Sequence, residues 1–186
     1  MDPASVLSDD AAACEAVLFA TARPLSLEDL ARALGTEPER VRQALEELRR
    51  LLDETGRGIQ LVEVAEGFQL VTRARFFGAL RQVVGAVRRP SLSAAAMETL
   101  AIVAYRQPVS RAEIEDLRGV NSEAAIGTLL ERGLIEVAHR APTPGRPVYY
   151  RTTRRFLELF GLRSLDELPP LEAWGMGEGP AAKTSP

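Results

Sequence analysis

Apolar positions along the chain recur every three or four residues, switch to alternation, and then run through that order a second time. Val41, Ala44, Leu45, Leu48, Leu51 and Leu52 have the spacing of a helix with one buried stripe, which predicts a helix over about 37–54. Ile59, Leu61, Val62 and Val64 follow, then Ala65-Glu66-Gly67, then Phe68, Leu70 and Val71, a pattern that predicts two strands around a tight turn. In the second half, Ala125, Ile126, Leu129 and Leu130 predict a buried stripe on a helix over about 121–132. Leu134, Ile135 and Val137, then Val148, Tyr149 and Tyr150, predict two more strands. Between them, Ala141–Pro147 holds three prolines and a glycine, which cannot continue a ladder and so predict a loop or wing.

What precedes each of these blocks also repeats. A shift of 84 residues sets Ala20 on Ala104, Pro24 on Pro108, Leu30 on Ile114, Gly35 on Gly119 and Glu47 on Glu131 without a gap. Each half starts with an apolar helix, about 10–21 and about 93–105, which a proline stops. Ser26 and Ser110 then cap a short helix, with Asp29 and Glu113 three residues on. The serine–glutamate pair has the form of a capping box, and the serine–aspartate pair is a weaker version. Gly35 and Gly119 end these helices, where a left-handed C-cap suits glycine.

Three helices followed by a two-stranded wing is the winged variant of the helix-turn-helix. The expected fold is therefore mainly α with small β wings, in two tandem winged-helix domains. The first spans 1–89 and the second 90–165, with a boundary at Arg88-Arg89-Pro90. A helix over about 75–87, carrying Phe76, Phe77, Leu80, Val83 and Val84, is expected to close the first domain. Phe156, Leu157, Leu159 and Phe160 predict a last short helix on the second. From Asp166 to Pro186 the chain turns rich in proline, glycine and acid, the composition of a mobile tail; Trp174 lies within it.

Composition narrows the function. Hydrophobic residues make up 46% of the chain, enough for buried cores, and the net charge of −3 gives no bulk attraction to nucleic acid. Cys14 is the only cysteine, which rules out an internal disulfide and a cysteine-based metal cluster. No signal peptide and no apolar run of the length a membrane span needs is present, so a cytoplasmic protein is expected.

A winged helix invites a DNA-reading role, but the fold alone does not decide it. Base readout needs Arg, Lys, Asn or Gln aimed from the third helix within a basic surround. The second domain's third helix offers Asn121, Ser122, Glu123, Thr128, Glu131 and Arg132, so its carboxylates oppose phosphate. In the first domain, Arg40, Arg42, Arg49 and Arg50 alternate with Glu37, Glu39, Glu46 and Glu47 at helical pair spacing, which predicts a self-neutralising face. Residues 90–165 hold ten arginines and eight acids, with Arg140, Arg146, Arg151, Arg154 and Arg155 gathered near the wing. That cluster reads either as a contact for phosphate or an acidic partner, or as a solvated edge.

Catalytic residues are not evident. His139 is the single histidine and has no serine or cysteine placed with it. Cys14 falls on the apolar side of the first helix. Gly56-Arg57-Gly58 lacks the third glycine and the preceding strand of a dinucleotide site. No metal-ligand spacing occurs, and no cofactor is expected.

Leu92-Ser-Ala-Ala-Ala-Met-Glu-Thr-Leu-Ala-Ile-Val-Ala-Tyr-Arg-Gln-Pro108 and the following Val109-Ser-Arg-Ala-Glu-Ile-Glu-Asp-Leu-Arg-Gly119 resemble the segregation and condensation protein B family. So do Thr128-Leu-Leu-Glu-Arg-Gly-Leu-Ile135, Gly145-Arg-Pro147, Glu15–Ala20, Pro24–Leu30 and Gly58–Glu63. The likeness covers about residues 12–170. It implies a non-enzymatic, nucleoid-associated accessory subunit of the bacterial chromosome condensation complex. It implies a homodimer formed mainly by the first domain. It also implies that the second domain binds the kleisin, segregation and condensation protein A, which bridges the heads of the SMC ATPase. DNA contact is then weak or indirect, and no membrane is involved.

Surface chemistry supplies candidate residues for those roles. Val17, Leu18, Phe76, Phe77 and Leu80 are the candidate dimer contacts, since the adjacent Phe76 and Phe77 cannot both face one core. Tyr105, Arg106, Gln107, Arg118, Arg146, Tyr149 and Arg151 are the candidate kleisin contacts, chosen because tyrosine and arginine are enriched in binding hot spots. The competing reading is a dimeric winged-helix transcription regulator, which would bind a short specific duplex tightly and lose affinity steeply with salt.

Overall fold

A computed structural model describes residues 7–21, 23–84 and 91–170. The domain boundary at 88–90, and Trp174 with the tail from 171, lie outside the described residues.

The first half runs α1 (Asp9–Ala20), α2 (Leu27–Leu34), α3 (Pro38–Glu54), β1 (Ile59–Val64) and β2 (Gly67–Thr72). A 3-10 turn (Ala74–Phe76) and α4 (Phe77–Val84) follow. Ser8 caps α1, and both its amide and its hydroxyl donate to the Glu47 carboxylate on α3, at 2.7 and 2.6 Å. Pro38 opens α3, where its fixed φ suits the first turn and its missing N–H costs nothing. Ala11, Cys14 and Leu18 of α1 meet Val41, Ala44, Leu45, Leu48 and Leu52 of α3 in one core, with Leu25, Leu30, Ala31 and Leu61. Each fully buried leucine there contributes about 1.5–3 kcal/mol by leaving water.

The second half repeats the plan as α5 (Ala94–Arg106), β3 (Val109–Ser110), α6 (Arg111–Arg118), α7 (Glu123–Glu131), β4 (Ile135–Arg140), β5 (Val148–Thr152) and α8 (Arg154–Phe160). A 3-10 turn, Leu165–Glu167, ends it. The correspondence extends to the sheets. Leu25 bridges Phe68 of β2, and its repeat partner Val109 pairs Tyr150 of β5. That pairing makes the second sheet three-stranded, in the order β3-β5-β4. Gly35 and Gly119 both adopt the left-handed C-cap. Ser110 and Glu113 form the reciprocal capping box, whereas at Ser26 only the serine side of the exchange is made.

Three expectations are corrected. The helix carrying Phe76 and Phe77 does not close the first core: none of its residues described is buried, and Phe76 instead lies over Gly58. Leu130 faces outward from α7 rather than into the stripe. The ordered fold runs past Asp166 to Pro170, because Leu162 and Leu168 pack on the second core and the Tyr105 hydroxyl donates to the Pro169 carbonyl at 2.6 Å.

The two halves are joined by more than the chain. Ala65 and Glu66 at the β1–β2 turn both have positive φ, and their amides donate to the Leu162 and Arg163 carbonyls at 2.8 and 3.0 Å. Val64 and Ala65 are buried as members of the second core. Arg154 of α8 donates to the Pro24 carbonyl at 3.1 Å, close to Gly67. A Cβ on Gly67 would stand 2.8 Å from the Leu25 carbonyl oxygen, so the close approach requires glycine.

Candidate partner-binding surfaces

The outward aromatic residues of the first half lie on two elements. On α1, Leu18 is 1% exposed and belongs to the core, so it is corrected from a dimer contact to a packing residue. Its neighbour Phe19 is 81% exposed. The sequence reading missed Phe19; helical phase anchored on Cys14 and Leu18 points it outward. Val17 is half-buried against the same core. On α4 and the 3-10 turn that leads into it, Phe77 is 63% exposed, Phe76 41% and Val83 89%, with Leu80 half-buried. The Arg75 and Arg81 guanidiniums lie 4.8 and 5.9 Å from the Phe76 and Phe77 ring centroids. Large apolar side chains left in water on an element mark it as a candidate interaction site.

The second half divides its predicted residues between supports and surface. Gln107 is a support: its amide oxygen accepts from the Thr152 amide at 2.7 Å and the Thr152 hydroxyl at 3.0 Å, tying the end of α5 to β5. Arg118 is another. Its side chain is 6% exposed and donates to Glu98 and to the Ser122 hydroxyl, both at 2.9 Å. Tyr105 is half-buried with its hydroxyl spent on Pro169, and Arg106 beside it is exposed. Arg151 is exposed and pairs with Glu136 across the ladder at 2.8 Å. Tyr149 stacks on His139 with ring centroids 4.7 Å apart and planes within 6°. Arg146 stands at the wing tip with φ +42. The fold therefore brings the 105–107 turn against β5, while Arg118, at the end of α6, reaches Glu98 two helical turns back along α5.

The helices that would enter a DNA groove are occupied by their own charges. On α7, Glu123 pairs with Arg111 at 3.1 Å, and the Asn121 side chain accepts from the Glu123 amide at 3.1 Å. On α3, Arg40 pairs with Asp10 and Arg42 with Glu39. Among the described residues no group of three or more His, Cys, Asp or Glu is placed to hold a metal, and no helix is long and apolar enough to cross a membrane. Burial pushes the Cys14 thiol pKa up, with Asp10 adding to the effect, which keeps it in the unreactive protonated form.

A family model described as segregation and condensation complex subunit ScpB matches residues 12–171, both cores together. The chain belongs to that family. Segregation and condensation protein B of Moorella thermoacetica is 46% identical over 161 residues, covering 87% of this chain and 82% of that protein. The crystal structure of ScpB from Mycobacterium tuberculosis is 38% identical, covers 83% of this chain and 96% of its own, and superposes with a TM-score of 0.40. A dimer of the ScpB N-terminal domain complexed with an ScpA peptide is 34% identical, covers 39% of this chain and 91% of its own, and has a TM-score of 0.38.

Proposed function

We propose that this chain is a non-catalytic subunit of a bacterial chromosome segregation and condensation complex. It works as a homodimer that holds the kleisin, segregation and condensation protein A, and through it the SMC ATPase. The family match across both cores carries this reading. The working place is the cytoplasm, at the nucleoid, because that is where such partners act.

The two halves divide the work. The first domain supplies the dimer face through Phe19, Phe76 and Phe77, the large apolar residues that its own core leaves in water. Leu80 of α4 and Val17 of α1 are half-buried beside these residues in sequence. The second domain supplies the kleisin contact at the 105–107 turn and the base of the wing, through Tyr105, Arg106 and Arg151. Gln107 and Arg118 act beneath that surface by holding α5 against β5 and α6. Arg146 and Tyr149 lie farther out on the wing. An absence of catalysis is supported by the environment of the two side chains best suited to it: His139 lies flat on a tyrosine and Cys14 is sealed in a core.

Co-expression with the kleisin of the same genome, followed by mass measurement of the purified complex, tests this directly. Two copies of this chain per kleisin are expected. Charge reversal at Arg106 and Arg151 is expected to lose the kleisin and keep the dimer. A wild-type chain that never co-purifies with the kleisin would remove the reading.

A further inference from the structure

The wing of the second domain carries charge that its packing does not use. From Val137 to Leu157 the sequence has five arginines, one histidine and no carboxylate. β4 and β5 carry this run outward as a two-stranded blade. At its base Arg151 is paired with Glu136, and Arg154 reaches Glu158 and the Pro24 carbonyl. At its outer end the side chains of Arg140 and Arg146 have no hydrogen-bond or ion-pair partner among the described residues, and both residues are exposed. A chain with net charge −3 has gathered unpaired positive charge at one projecting tip.

That tip is also stiff. Pro142, Pro144 and Pro147 fix three φ angles in the loop. The Ala141 amide donates to the Pro147 carbonyl at 3.0 Å, and the Arg146 amide to the Thr143 carbonyl at 2.9 Å. Arg146 is held at φ +42, a left-handed region that side-chain-bearing residues seldom enter. Guanidiniums set on a rigid loop lose less freedom on binding than those on a mobile one.

The same tip is poor ground for a protein partner. Within this run Val137, on β4 before the loop, is exposed, but the loop from Ala141 to Pro147 carries no exposed large hydrophobic residue, so its outer end offers no apolar anchor. On α7 the Glu123 carboxylate, paired with Arg111 of α6, stands where base reading would need a donor. What remains is a polyanion recognised by its charge alone. We infer that the outer wing, through Arg140 and Arg146, is a sequence-independent contact for the phosphate backbone of duplex DNA. The assignment rests on the subunit reading only for bringing a duplex within reach; the charge distribution stands by itself.

The test uses the full chain and a short random-sequence duplex labelled for fluorescence anisotropy, titrated across a salt series. Each phosphate neutralised contributes about 0.9 to the slope of log affinity against log salt. Arg140→Ala/Arg146→Ala is expected to lower that slope by about 2 per chain and to weaken low-salt binding by about tenfold or more. A matched charge loss on α3, Arg49→Ala/Arg50→Ala, is expected to leave binding near wild type. Equal weakening by both pairs would overturn the assignment, since bulk charge would then explain it. So would a wild-type chain that fails to bind duplex at low salt, which leaves the kleisin reading untouched. Kleisin co-purification by the wing variant is expected to persist. If it is lost while DNA affinity is unchanged, the wing belongs to the protein interface and the DNA contact is wrong. Circular dichroism of each variant checks that the fold is kept.

Discussion

The amide of Ala65, at the tip of the first wing, donates to the carbonyl of Leu162, beyond the last helix of the second domain, at 2.8 Å. With the Glu66–Arg163 bond beside it, the turn continues its hydrogen bonding into the other half of the molecule, and Ala65 itself is buried there. Gly67 is the residue that lets the strand come this close to Leu25. Gly67→Ala would place a methyl 2.8 Å from one backbone oxygen and 3.0 Å from the Arg154 guanidinium. The backbone cannot give way as a side-chain end can, so a loss of about 1–3 kcal/mol is expected. A urea titration reads it as a lower midpoint, and hydrogen exchange reads it as lost protection at Ala65 and Glu66. An unchanged midpoint would mean that the first wing and the second half are not coupled in this way.

Acid should loosen the molecule through carboxylates that the fold uses as acceptors. The Glu113 pKa is held below its usual value by the Ser110 amide first and then by the Ser110 hydroxyl. Glu47 is lowered by the Ser8 hydroxyl and then the Ser8 amide, and Glu115 by the Ser122 amide and then Arg111. Glu167 is lowered by the Arg163 amide and then its guanidinium. A folded-state pKa below the unfolded one means that the unfolded chain binds protons first. The stabilisation is therefore complete above the ordinary carboxylate range and is lost as pH falls through it. Glu113→Gln should melt below wild type at pH 7, and the gap should shrink as pH drops below about 4. A gap that is constant with pH would show that the capping box does not act through its charge.

The repeat, the caps and the strand pairs were legible because each depends on local chemistry: a serine before a helix, a glycine after it, a change of period at Ile59 and Leu134. The bridges from Leu25 and Val109 to the wings were not, since one or two residues of pairing leave no period to read. The docking of Ala65 on Leu162 was equally hidden, because it joins backbone groups and asks for no particular side chain beyond small size. Among the site residues, Arg118 was a candidate for its type and Gln107 for its place in the turn, and both make internal hydrogen bonds; sequence shows that a guanidinium is present but not that Glu98 and Ser122 have already engaged it. Phe19 carries no motif that marks it beside Val17 and Leu18, although the core positions Cys14 and Leu18 set the phase that turns it outward.

That view of Arg118 has a consequence. Its guanidinium is nearly enclosed, while Glu98 on the other side is largely exposed and can return to water. Arg118→Ala should cost about 1–3 kcal/mol, mainly by leaving the buried Ser122 hydroxyl without its donor. The folded fraction should still hold the kleisin. Thermal melts and pull-downs on the same sample separate the two effects. Full stability with lost kleisin binding would restore Arg118 as a contact.

The neighbours Leu18 and Phe19 offer the sharpest contrast, because one bond of the chain separates a core position from a surface one. Leu18→Ala removes buried atoms from between α1 and α3 and leaves a cavity, at a cost of about 2–5 kcal/mol. Phe19→Glu removes nothing from that core. It should instead place a charge in the dimer face, and Phe77→Glu should do the same from α4. A protein stabilised by self-association melts at a higher temperature as its concentration rises, since only the folded form binds its partner copy. Wild type and Leu18→Ala should keep that concentration dependence, with Leu18→Ala shifted downward throughout. Phe19→Glu/Phe77→Glu should lose the dependence and run as a monomer in light scattering, with its melt at high dilution close to that of wild type. If the double variant remains a dimer, the exposed apolar residues of α1 and α4 are covered by something other than a second copy of this chain.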